Sequence, residues 1–182
     1  MSEFSDSYHL RSNDAAEGVS LLHRAGIGGF VLPSANGWVT VLPEGMPFEP
    51  NEQLIAANTG VLLHYIFGED HAWGIELYAA GELITKQEVS WDPDLEVVHT
   101  LSLAEFDSAA ATTLTGLSEA DRSRLLTPTS HEDIFEFKPA YFFAQAIGLT
   151  NFNWLSFEYM SRDQEGGRAL PLGVIGVEPR DA

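Results

Sequence analysis

The chain of 182 residues contains no cysteine, which excludes disulfides and thiolate zinc sites and makes a reducing or redox-indifferent compartment the simple reading. Positive charge is nearly as scarce: 9 Lys and Arg stand against 27 Asp and Glu, a net charge of −18. Cation clusters of the kind that grip nucleic acid phosphate or anionic lipid are missing, so neither partner is expected. No stretch approaches the roughly 20 apolar residues that span a bilayer, and no apolar run follows an early basic segment. A cytoplasmic location is therefore expected. Sequence signatures of catalysis are absent too. There is no GxSxG or SxxK, and His131-Glu132 is not HExxH because position 135 is Phe. The run Gly26-Ile27-Gly28-Gly29 lacks the spacing of a phosphate cradle and follows a helix instead of preceding one. No catalytic residue, cofactor or metal is expected from these patterns.

What the chain does have is 45% hydrophobic and 11% aromatic residues, enough to bury the core of one domain. The expectation is a flexible polar leader over 1–13, then a single α+β domain over 14–182. Its organising stretch runs from Gly60 to Asp92, where alternation and turn residues agree over three segments and predict an antiparallel three-strand meander. A three-residue loop of Gly68, Glu69 and Asp70 would set Tyr65 opposite Trp73, Leu63 opposite Ile75 and Val61 opposite Leu77. A second loop of Ala79, Ala80 and Gly81 would turn Leu83, Thr85, Gln87, Val89 and Trp91 to the same face. Helices are expected to pack on that face. The other, with His64, Ile66, Glu76, Lys86 and Glu88, is mixed enough to be partly wet or covered by a helix.

Around the meander, Asp14 with Glu17 has capping-box spacing and predicts a helix ending at Gly26. Phe30 to Leu32 and Trp38 to Leu42 read as short strands about an Asn36-Gly37 turn. Residues 51–58 read as a short helix, and Leu95 to Leu101 as a further strand. Ser102 with Glu105 and Ser118 with Asp121 open two more helices, and Pro139 stands at the first position of another that Gly148 caps. The C-terminal half is thus helix-rich. Its aromatic residues read as the buried side of helices docked on a sheet. Trp154 to Met160 fits a helix or a strand, Arg162 to Arg168 an exposed loop, and Gly173 to Val177 a last short strand or a tail.

Acidity is concentrated in the middle third, where residues 61–120 hold 1 basic and 11 acidic side chains. Glu69, Asp70, Glu76, Glu82, Glu88, Asp92 and Asp94 are the candidate binding residues, a surface suited to a basic protein partner. Lys86 can neutralise Glu76 across the ladder, which favours a structural pair over a glycosidase-type dyad. His64 and His71 flank the first turn but face opposite sides of the sheet, which disfavours a metal site. In layout alone, an acidic domain with a meander and a helical C-terminal half, the chain resembles small bacterial immunity and antitoxin-like proteins that neutralise a partner. That resemblance carries no motif and no functional residue. The leading expectation is a non-enzymatic interaction protein. The alternatives are a small-molecule-binding or enzymatic domain, with a pocket between the meander and the segment from Phe135 to Tyr159, and a homodimer that covers an exposed sheet edge.

Overall fold

The computed structural model describes residues 2–92, 94–99 and 101–179. Among these residues eight strands form one sheet: β1 (Phe4–Arg11), β2 (Gly29–Val31), β3 (Trp38–Pro43), β4 (Val61–Gly68), β5 (Ala72–Ala79), β6 (Glu82–Ser90), β7 (Glu96–His99) and β8 (Ile175–Val177). Seven α-helices accompany them: α1 (Ala15–Ala25), α2 (Glu52–Ala57), α3 (Leu103–Ala110), α4 (Glu119–Leu126), α5 (His131–Phe135), α6 (Pro139–Ala146) and α7 (Phe157–Glu165). The strand order is β7-β6-β5-β4-β1-β3-β2-β8, and every pairing is antiparallel. The chain has an α+β fold. Among the described residues no helix is long and apolar enough to cross a membrane.

The segment expected as a flexible leader is instead an interior strand. Phe4–Arg11 pairs with β4 along Phe4 to Leu10 and with β3 along Tyr8 to Arg11. Its polar composition hides a period of two. Tyr8 and Leu10 enter one core, while Ser5, Ser7 and His9 are buried on the other side. Where β3 has ended, the stretch before α7 closes the open side of β1. The Asp6 N–H donates to Leu155 O at 2.9 Å, and the Leu155 N–H to Ser5 Oγ at 3.3 Å.

Strands β4, β5 and β6 lie side by side, with a register that differs from expectation. The first turn holds Glu69, Asp70 and His71, so Phe67 faces Trp73, Tyr65 faces Ile75 and Leu63 faces Leu77. This two-residue change leaves each side chain on its expected face and joins the two large aromatics across the ladder. The second turn has two residues. Ala80 (φ 49°) and Gly81 (φ 85°) both take positive φ, as a type I′ turn demands. A bulge beside Leu77 and Tyr78 then restores the phase, so Thr85, Gln87 and Val89 share the face of Trp73 while Leu83 turns away and is half exposed.

Helices cover both faces. On the inner face, α3 to α6 bury Phe106, Leu125, Ile134 and Phe143 against Leu63, Tyr65, Trp73, Ile75 and Leu77. On the outer face, α1 and α2 bury Leu21, Leu22 and Leu54 against Tyr8, Val39, Val41 and Leu62. Asp14 caps α1 by accepting the Ala16 N–H at 2.9 Å, and Gly26 ends it in the left-handed conformation. The helix lies close on the sheet because Gly18 has no side chain: a Cβ there would sit 2.9 Å from both Val31 and Val39. The stretch 162–165, expected in a loop, belongs to α7, whose cap Ser156 accepts the Tyr159 N–H. Its burial against Phe30 and Leu42 through Phe157 and Met160 outweighs its charged composition.

Candidate functional site

Cross-strand register builds a polar row on the outer face. Tyr8 pairs with His64, His64 with Glu76, and Glu76 with Lys86, so four neighbouring strands each contribute one side chain. His64 is fully buried and stacks on Tyr8, with ring centroids 4.1 Å apart. Its Nε2 stands 2.8 Å from Asp6 Oδ1, and its Nδ1 3.7 Å from Glu76 Oε2, an ion-pair distance beyond hydrogen-bond reach. Burial alone would depress the imidazole pKa, but Asp6 and Glu76 outweigh it and the net shift is upward. Glu76 is held down to about 2, first by His64 and then by the Tyr78 hydroxyl and Lys86. Tyr78 OH donates to Glu76 at 2.6 Å and Lys86 Nζ at 2.9 Å. Two of its neighbours are therefore donors of proper length, and Glu76 serves the interior of the row.

Beyond this row the outer helices end and the sheet is open. A groove of about 340 Å³ runs over β4 to β6. Its floor is Ile66, Gly68, Ala72 and Gly74; Phe48 and Pro50 form a wall; His71, Lys86 and Glu88 stand at the rim. The floor is recessed because three of its four residues have a methyl group or no side chain. Lys86 also lies 3.3 Å from Glu88.

The seven acidic candidates divide by position. Glu69, Asp70 and Asp92 meet at the β4–β5 turn, where His71 Nδ1 lies 3.1 Å from Asp92 Oδ2, and exposed Asp94 follows in the chain. Glu88 is on the groove rim. Glu76 is buried at the inner end of the same groove and is joined to Glu88 through Lys86, whereas Glu82 opens β6 at the opposite end of β5 and is separated from the rest. Asp6, Tyr8 and His64 are not legible as a unit in the sequence, because Asp6 and Tyr8 fall in a segment whose composition reads as a leader. Phe4, Tyr8 and Leu10 at even spacing were the available signal.

Two further features lie on the inner face. His9 is fully buried, with Nε2 3.0 Å from Ser7 Oγ and Nδ1 3.2 Å from Thr40 Oγ1. Burial, and to a lesser degree His64, depresses its pKa to about 3, so it is neutral. A Ser-His pair invites comparison with a hydrolase, but Thr40 stands where a carboxylate would orient the ring, and Ser7 and His9 have no exposed surface. The cluster is structural. The second feature is a cavity of about 80 Å³ between the sheet and the start of α6, bounded by Phe67, Trp73, Trp91, Phe135 and Tyr141. Among the described residues no cluster of three or more His, Asp or Glu is arranged to hold a metal ion. No family model, curated protein or solved structure matches the chain.

Proposed function

We propose that this protein is a non-enzymatic binding protein that seats a cationic, partly apolar segment of another protein in the outer groove. The observation that carries this reading is the uncovered floor of Ile66, Gly68, Ala72 and Gly74 beside a rim and adjoining turn that hold Glu88, Asp70 and Asp92. Apolar floor and acidic edge together favour a partner that offers aliphatic or aromatic side chains flanked by Lys or Arg. Strands β4, β5 and β6 each have neighbours on both sides, so the partner docks through side chains and not as an added strand. Glu76 fixes Lys86 in place, and Glu88 faces the partner. The lack of cysteine fits a cytoplasmic setting for this encounter.

The test is capture from lysate by immobilised protein at about 0.05 M and about 0.5 M salt, repeated with Gly74→Leu and with Glu88→Lys. A Cβ at Gly74 meets nothing nearer than Gln87 O at 3.4 Å, so leucine fills the groove without backbone strain. Retention of a basic protein at low salt, lost at high salt and in both variants at unchanged Tm, supports the reading. Retention indifferent to salt and to both variants contradicts it.

A further inference from the structure

The cavity on the inner face carries an inference independent of the groove. Trp73 and Trp91 are only 1% and 6% exposed and both line it, yet the indole N–H of each finds no acceptor among the described residues. The chain does satisfy another buried indole: Trp38 Nε1 donates to Ile147 O at 3.0 Å. An unmet buried donor is costly, and two around one hollow mark a place where an acceptor is wanted. A third source of donors adjoins them, because α6 opens at Lys138 and Pro139 with no side-chain cap and its first turn lines the same cavity.

We propose that this cavity binds a small, uncharged, planar aromatic molecule through a carbonyl oxygen that accepts from the Trp73 and Trp91 indoles. A carbonyl oxygen has two lone pairs, one for each N–H. The walls supply aromatic surface for a ring: Phe67 and Tyr141 meet edge to face at 5.5 Å, and Trp91 and Phe135 at 6.1 Å. At about 80 Å³ the space exceeds that of a single water several-fold, and its side near exposed Lys138 is open, so a ring fits with its far edge toward solvent. Charge excludes an anion. Among the described residues Glu3 and Glu69 line the cavity against one cation, Lys138, and Glu3 is fixed there by the Tyr141 hydroxyl and by the Trp154 N–H at 2.9 Å. A purely apolar ligand would leave both indoles unmet.

The experiment follows the four indole N–H resonances of 15N-tryptophan-labelled protein during titration with acetophenone, benzoate and toluene. Acetophenone is expected to shift Trp73 and Trp91 while Trp38 stays in place, and to bind more tightly than either other probe. Trp73→Phe and Trp91→Phe, which keep a ring and remove a donor, should each weaken acetophenone roughly three- to tenfold and leave toluene unchanged. Should either variant fail to fold, the comparison of probes on the unaltered protein decides alone. The proposal is overturned if no indole responds to acetophenone, if all four respond alike, if toluene binds as tightly, or if benzoate is preferred.

Discussion

His9 and His64 lie on neighbouring strands with their imidazoles on opposite faces of the sheet, and the two faces treat a proton in opposite ways. His9 is enclosed by hydroxyls and its pKa falls to about 3; His64 sits between Asp6 and Glu76 and its pKa rises. An unfolded histidine titrates near 6.5. Below that pH the unfolded chain takes up a proton that folded His9 refuses, so stability falls with pH from about 6.5 toward 3. Glu76 adds to this limb as pH drops from 4.5 toward about 2. Above 6.5 the sign reverses: folded His64 keeps a proton that the unfolded chain has lost, and stability falls as pH rises toward its raised pKa. Stability should therefore peak near pH 6.5, with each limb approaching about 1.4 kcal/mol per pH unit where one proton separates the states. Denaturant titrations across pH would show it. His9→Gln should flatten the upper part of the acid limb and His64→Gln the alkaline limb. A profile unchanged by either variant would mean that these rings are not buried as described.

At the scale of elements, the closest fit in the molecule is α1 on the sheet. Gly18 faces Val31, Val39 and Val41, where even a Cβ would stand only 2.9 to 3.2 Å away, so Gly18→Leu must push the helix away. The expected cost is about 2–3 kcal/mol, read as a lower midpoint in urea with little change in slope. Elements of this kind were legible in the sequence where local chemistry alone decides them. Asp14 and Gly26 mark both ends of α1, and Ser102, Ser118 and Pro139 mark three helix starts. At the first turn of the meander the faces survive a two-residue change of register, but the shorter second turn and its bulge put Leu83 on the other face. Long-range pairing was not legible. Phe4–Arg11 is a strand because β3 and β4 accept its backbone, and its one local sign, Phe4, Tyr8 and Leu10 at even spacing, is diluted by the polar residues of FSDSYHLR. The same blindness hid the site. Asp6 and Tyr8 join His64 only once β1 lies beside β4, and the groove forms over a stretch of β4 to β6 that α1 and α2 do not line. Acidic composition pointed to the turn near Asp70 but also to Glu82, since charge along a chain carries no information about which end of a strand it occupies.

For the molecule as a whole, a net charge of −18 on 182 residues opposes compactness through self-repulsion. Added salt screens that repulsion over about 8–10 Å near physiological ionic strength, so Tm should rise between about 0.05 M and about 0.5 M sodium chloride. A fall in Tm over that range would place the dominant electrostatic term in attractive pairs such as Lys86 with Glu76. The sheet edges fit a chain kept from self-pairing, since β7 has 4 residues and β8 has 3. Both hollows lie over the same continuous sheet, and β1 is the strand that makes it continuous. Without β1, the half that holds β4 to β7 parts from the half that holds α1 and β3. Native-state hydrogen exchange tests that placement most directly. The amides of Tyr8, His9 and Leu10 should exchange among the slowest in the chain, at the free energy of global unfolding. Exchange of those amides at the rate of an unstructured tail would contradict the sheet, and with it both the groove and the cavity.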